Sequence, residues 1–206
     1  MANIPIITIS RAYGSGGRFI GQKLAEQLSI PFYDREIITR SAKNSGLSEG
    51  IFERAEEKAT SSFLYSLYLH GTMGTAGELP LDEQAFLIQS NIIKDIAKEG
   101  PCVIVGRCAD YVLRDVENVV NVFIHGKMEN RMKRAVTHYH LAEDVAEKEI
   151  KKIDKRRATY YRYYTGQIWG DAENYHLSLD SDSVGIEQAV QVIAAFVAAF
   201  QNPQHI

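Results

Sequence analysis

The chain has 206 residues, 45% hydrophobic and 24% charged, enough to bury a substantial core in one domain and unlike the makeup of a disordered chain. A formal net charge of -3 argues against a general binder of nucleic acid or anionic membrane. A small-molecule partner is the expectation.

The opening "MANIPIITIS" lacks a basic n-region and turns at once into a strand pattern, which is not how a secretory signal reads. Cys102 and Cys108 are the two cysteines and carry no metal-ligand spacing, as suits reduced thiols in a cytoplasm.

Residues 4–10, "IPIITIS", form the first apolar run and lead through a glycine cluster into a helix pattern with Ile20, Leu24 and Leu28 four apart. Residues 31–33 are a weaker strand candidate. "PCVIV" at 101–105 and "VVNVFI" at 119–124 are short apolar runs of the buried parallel type, and "YHLSL" at 175–179 is a fifth candidate. The last segment, with Ile186, Ala189, Val190, Ile193, Val197 and Phe200, carries a helical apolar stripe too short to cross a bilayer. Strands alternating with such helices predict an α/β fold: a three-layer arrangement in which a five-stranded parallel sheet is flanked by helices.

Two segments interrupt that alternation inside a single domain spanning 1–206. Residues 35–98 are mostly helical in pattern, and residues 127–172 are highly charged and then aromatic. Insertions at the carboxyl edge of such a sheet are natural substrate covers. The apolar piece "SSFLYSLYLHGTMG" in the first is either a subunit interface or the closure of that cover, which leaves a homodimer open.

"SRAYGSGGRFIG" has the strand, glycines and helix of a phosphate loop, whose usual form is G-x-x-x-x-G-K-[ST]. If Gly16 is the second glycine, Gly17 stands in the lysine position and Arg18 in that of the hydroxyl. If Gly17 is that glycine, Arg18 replaces lysine and Phe19 the hydroxyl. The first glycine becomes Arg11 or Ala12. The plain alternative is a tight strand-to-helix turn that needs glycine for backbone freedom.

Further cations are well placed. Arg107 follows Gly106 at the end of an apolar strand, where ligands of α/β sheets bind. Lys127, Arg131 and Arg134, four and three apart, share one helix face. Glu147, Lys148, Glu149, Lys151 and Lys152 read as a solvated, ion-paired face, and Asp180 equally as a cap on the turn into the last helix or as a functional carboxylate. Tyr160, Tyr161, Tyr164 and Trp169 are read as packing residues of a lid hinge or subunit contact before base-stacking ones.

Several short motifs then occur in one order along nearly the whole chain. "PFYDREIITR", with Asp34 and Arg40, resembles the segment after the second strand of bacterial cytidylate kinases. "VIVGRCADYVL" resembles their strand-end G-R-D motif, with Cys108 in place of aspartate. "GKMENRMKR" is similar to their "EERAHRR" through Glu129, Arg131 and Arg134, and "EIKKIDKRR" to the lid motif "EIKERDDRD" through Ile150, Lys151, Asp154 and Arg156, with Ile153 in place of an arginine. "LSLDSDSVGIEQAVQVI" resembles "LVLDSTTLSIEQVIEKA".

The chain thus resembles the cytidylate kinase-like family. The resemblance implies a P-loop nucleoside-monophosphate kinase that moves the ATP γ-phosphoryl group to CMP or dCMP with Mg²⁺, with residues 35–98 as acceptor-binding insert and 127–172 as lid. On this reading Arg18, Arg131, Arg134 and Arg156 are the catalytic cations. Arg11, Gly14, Ser15, Gly16, Gly17 and Arg18 hold phosphate, and Asp34, Arg40, Arg107, Asp154 and Arg157 serve the acceptor. The missing loop lysine and hydroxyl, with Cys108 and Ile153, keep two alternatives in view: a kinase for another small acceptor, and a non-catalytic nucleotide-binding protein.

Overall fold

The structure, a computed structural model, describes residues 4–57 and 79–200. The segment "SSFLYSLYLHGTMG" lies outside them. β1 (Ile6–Arg11), β2 (Phe32–Tyr33), β3 (Val103–Val105), β4 (Val119–His125) and β5 (Leu177–Asp180) form a parallel sheet in the order β2-β3-β1-β4-β5. Each strand is a short apolar run because both sheet faces are covered. β1 lies at the centre, with Ile7 paired to Val103 on one side and Val120 on the other.

Helix α1 (Gly17–Leu28) follows β1. α2 (Glu36–Ser45), α3 (Glu49–Glu57) and α4 (Leu81–Glu99) lie between β2 and β3, and α5 (Ala109–Val112) follows β3. α6 (Met128–Tyr139) and α7 (Glu143–Thr165) lie between β4 and β5, and α8 (Ser181–Val184) and α9 (Ile186–Phe200) complete the described chain. Ile20 and Leu24 of α1 and Ala189, Val190, Ile193 and Val197 of α9 pack on the odd-numbered residues of β1 and on Val120, Val122 and Ile124 of β4. The period-2 alternation of β1 sends Ile6 to the opposite face, where α4, α5 and the end of α7 cover the sheet. No helix of the described residues is long and apolar enough to cross a membrane.

α7 changes character along its length. Its first half pairs charges in solvent, as Lys151 with Glu147 at 2.5 Å and Lys152 with Glu149 at 3.3 Å, the ion-paired face its pattern predicts. Its second half is core: Tyr160, Tyr161 and Tyr164 pack among Ile37, Phe86 and Ile93, and the Tyr164 ring stacks on Phe86 with centroids 3.9 Å apart. The aromatic residues therefore tie α7 to the central sheet, and the helix is anchored at one end and charged at the other.

Candidate active site

The chain reverses direction across β1, with β3 on one side and β4 on the other, and the carboxyl end of β1 is the switch point where such sheets bind ligands. The glycine loop sits there. Gly14 has φ 75°, and a Cβ on it would lie 2.6 Å from the backbone oxygen of Arg131, so the position admits no side chain. Gly16 caps α1. The Ser15 hydroxyl donates to the Ala12 carbonyl at 2.8 Å, and the Ser15 carbonyl accepts from the Ser181 hydroxyl at 2.7 Å.

Three arginines hold the loop's carbonyls. Arg157 Nη1 donates to Arg11 O at 2.9 Å, Arg131 Nε to Tyr13 O at 2.7 Å, and Arg134 Nε to Gly14 O at 2.6 Å. Across a planar trans peptide the C=O and the following N–H point in opposite directions, so anchoring Tyr13 O turns the Gly14 N–H to the inner side. The N–H groups of Gly14, Gly16, Gly17, Arg18 and Phe19 have no acceptor among the described residues. Together with the dipole of the twelve-residue α1 they form an anion nest.

The α6 arginines thus hold the loop in this structure. Arg131 is also bonded to Asp154, and Arg134 Nη2 lies 2.6 Å from Asp182 Oδ1. Each guanidinium is spent between a loop carbonyl and a buried or half-buried carboxylate. Asp154 in turn accepts the Tyr13 N–H at 2.8 Å, which joins α7 to the loop. Asp182 also takes the Lys127 N–H and is missing from the expected residues. Its signal was present in "LDSDS", where Asp180 does cap the turn by accepting from Asp182 N at 3.0 Å.

Two cavities meet beside the nest. One, of about 90 Å³, lies over the loop and is bounded by Tyr13, the glycines, Arg18 and Tyr139. The other, a cleft of about 100 Å³, is lined by Ser10, Gly106, Arg107 and Cys108 and by the rings of Tyr160, Tyr161 and Trp169. Arg11 and Arg157 border both. Arg156, one position earlier on α7, borders neither, because adjacent residues on a helix point about 100° apart.

Arg107 and Cys108 hold left-handed backbone, with φ 57° and 51°, directly after Gly106 at 75°. Two such residues in succession store strain of about 1 to 3 kcal/mol each, and strain of this kind gathers at ligand sites. Their turn carries Arg107, with a side chain only 5% exposed, to within 3.6 Å of Asp34, which also takes Arg18 Nε at 2.8 Å. Asp34 therefore fixes arginines at the cleft. Arg40 is elsewhere: it lies over the Tyr33 ring and pairs with Glu36 at 3.1 Å and Glu99 at 3.4 Å, near the amino end of β3.

Behind the cleft, Tyr161 donates its hydroxyl toward Asp110 Oδ2 at 2.8 Å and Gln167 Oε1 at 2.9 Å. One hydroxyl proton cannot serve both acceptors, and burial pushes the Asp110 carboxyl up to about 6 although the Tyr161 bond lowers it. A protonated Asp110 resolves the conflict by donating to Tyr161. The folded chain then holds, between about pH 4 and 6, a proton the unfolded chain has lost, so stability declines as pH rises through that window and levels above it. Relative to wild type, Asp110→Asn is expected to gain about 2.5 kcal/mol between pH 4 and pH 7. Denaturant unfolding of both proteins at the two pH values measures this, and a constant difference would refute it.

Magnesium finds no ligand set of its own here. Arg18 stands where the loop hydroxyl would be, and Asp34 already bonds two guanidinium groups. The described residues contain no cluster of three or more metal-ligating side chains. The residues present do not fit a protein-held ion, and no step is assigned to one.

Comparison with known proteins agrees with this architecture. No curated protein matches the chain. Among solved structures, a protein of unassigned function from Eubacterium ventriosum is 27% identical with TM-score 0.72, covering 95% of this chain and 99% of its own. A shikimate kinase from Acinetobacter baumannii in complex with shikimate (14% identity, TM-score 0.54, 98% and 97% covered) and a gluconokinase from Sinorhizobium meliloti (14%, 0.51, 100% of both) share the fold. The cytidylate kinase-like family matches residues 6–183, from the first strand to the turn after the last. The chain is a P-loop kinase by fold and belongs to the cytidylate kinase-like family.

Proposed function

We propose that the protein transfers the γ-phosphoryl group of ATP to a nucleoside monophosphate, CMP or dCMP. The observation that carries this reading is the sharing of Arg11 and Arg157 between the loop cavity and the cleft. Phosphoryl transfer needs a donor and an acceptor in line with positive charge around the group between them. The amide nest receives the donor's phosphates, and Arg11 and Arg157 flank the group that moves. Arg107, steadied by Asp34, faces the acceptor's phosphate, whose oxygen attacks the γ-phosphorus as ADP leaves. The rings of Tyr160, Tyr161 and Trp169 offer a surface for a base. Magnesium would enter with the triphosphate and supply charge neutralisation there, with no residue of this chain assigned to hold it. We place this activity in the cytoplasm, where Cys102 and Cys108 persist as the buried free thiols they are.

Cys108 in the cleft, where the resembling motif has aspartate, favours a second reading in which the acceptor is another small phosphate or alcohol. Coupled assay of ADP release with CMP, dCMP, UMP, AMP, GMP and a set of small alcohols decides between them. Turnover with a pyrimidine monophosphate well above the ATPase background is expected. Activity confined to a non-nucleotide acceptor would establish the second reading, and ATP binding without transfer to any acceptor would reject both.

A further inference from the structure

The missing lysine leaves a question that the geometry answers. α1 begins at Gly17, the residue after the Gly16 cap, and β1 ends at Arg11. Counting G-x-x-x-x-G-K between strand end and helix start places the motif's first glycine at Arg11 and its lysine at Gly17. A Cβ on Gly17 would stand 2.6 Å from Arg11 Cβ, 3.2 Å from Arg11 Cγ and 3.2 Å from Ile124 Cβ. These atoms are close to the backbone and cannot swing away. The room a lysine stem would need at position 17 is filled by the stem of Arg11.

The far end of Arg11 shows the same fit. A Cβ on Gly106 would run into Arg11 Nη1, so the guanidinium lies against the glycine that ends β3 and borders both the nest and the cleft. The other arginine of the loop, Arg18, carries a side chain 49% exposed and turned to Asp34.

We propose that Arg11 and Gly17 are a reciprocal exchange of the usual glycine and lysine, so that the loop's phosphate-binding cation enters from the end of β1 instead of from the first turn of α1. The assignment rests on the loop being the donor's phosphate site. A planar fork reaching from the strand can grip phosphoryl oxygens bidentately in a fixed geometry, where an ammonium group acts as a point charge. It also explains why glycine is needed at 17, where no positive φ but the stem of a neighbouring side chain excludes a Cβ.

The test is a cycle of Arg11→Gly, Gly17→Lys and the double variant, with Gly17→Ala and Arg11→Gly/Gly17→Ala as steric controls. Affinity for ATP and for inorganic tripolyphosphate is read by calorimetry, and Tm by thermal denaturation. Arg11→Gly is expected to weaken ATP binding about 10- to 100-fold. Arg11→Gly/Gly17→Lys is expected to regain most of that loss, because it restores the usual pair. Gly17→Ala alone should lower Tm, and Arg11→Gly should relieve the loss in the double variant. If wild type binds and turns over ATP while Arg11→Gly binds it equally well, the exchange is wrong and the proposed function stands. Additive Tm effects of Gly17→Ala and Arg11→Gly would likewise overturn the exchange. If wild type binds neither ATP nor tripolyphosphate, the phosphate site itself is wrong and both fall.

Discussion

Arg157→Ala is expected to slow phosphoryl transfer by about 10²- to 10³-fold, the loss that follows removal of one preorganised donor from a developing anion. Arg157 is held to its task by its surroundings. Nη1 is bonded to Arg11 O at 2.9 Å, the guanidinium lies over the Tyr13 ring at 5.4 Å, and the side chain borders both cavities. A contact that tightens only as charge spreads over the moving phosphoryl group lowers kcat and kcat/KM together, with little change in KM. Steady-state kinetics with the pyrimidine monophosphate that wild type phosphorylates makes the measurement. Arg157→Lys keeps the charge without the fork and is expected to fall between the two. Rates within threefold of wild type for the alanine variant would remove Arg157 from the reaction.

The second large effect is on stability. Asp154→Ala strips the carboxylate from Arg131, whose side chain is 10% exposed, and leaves the Tyr13 N–H without its acceptor. Breaking a buried pair from one side costs about 3 to 5 kcal/mol, and the 19% exposure of Asp154 puts the expectation near 3 kcal/mol. For a chain of this size that corresponds to a fall in Tm of roughly 6 to 12 °C. Arg131→Met in the same background removes the stranded charge and should restore part of the loss. Calorimetry of the two single variants and the double gives the coupling. Zero coupling would mean that α7 and the loop are not joined through this pair. ATP affinity should fall with stability in Asp154→Ala, because the loop carbonyl that Arg131 holds then loses its anchor.

Other expectations from the sequence met the structure more or less directly. The five strand candidates are all strands, each within two residues of its predicted limits, since an apolar run bounded by turn residues has few other uses in a chain of this pattern. The glycine cluster is a strand-to-helix loop, and Asp180 caps the turn that follows β5. What could not be read was the destination of each arginine. Arg131 and Arg134 share a helix face as their spacing requires, yet their guanidinium groups go to loop carbonyls and to Asp154 and Asp182. Arg18 and Arg40 turn to acids, and the choice of Arg157 over Arg156 is a matter of helix phase against a loop far away in the chain.

The sequence by itself determined the layered α/β fold, the strand-to-helix glycine loop and the family, because strand, helix and turn signals lie in contiguous residues and act through local sterics and hydrophobic period. Tertiary structure alone decided which cations are clamps and which face the cavities. The partners that settle this are distant, Asp154 standing 141 residues from the Tyr13 N–H it accepts and Arg157 146 from the Arg11 carbonyl it holds. An arginine has a long, rotatable stem, and its direction is set by the carboxylates and carbonyls that folding brings within reach. The same holds at position 17, where the space for a side chain depends on the stem of Arg11 that packing lays across it.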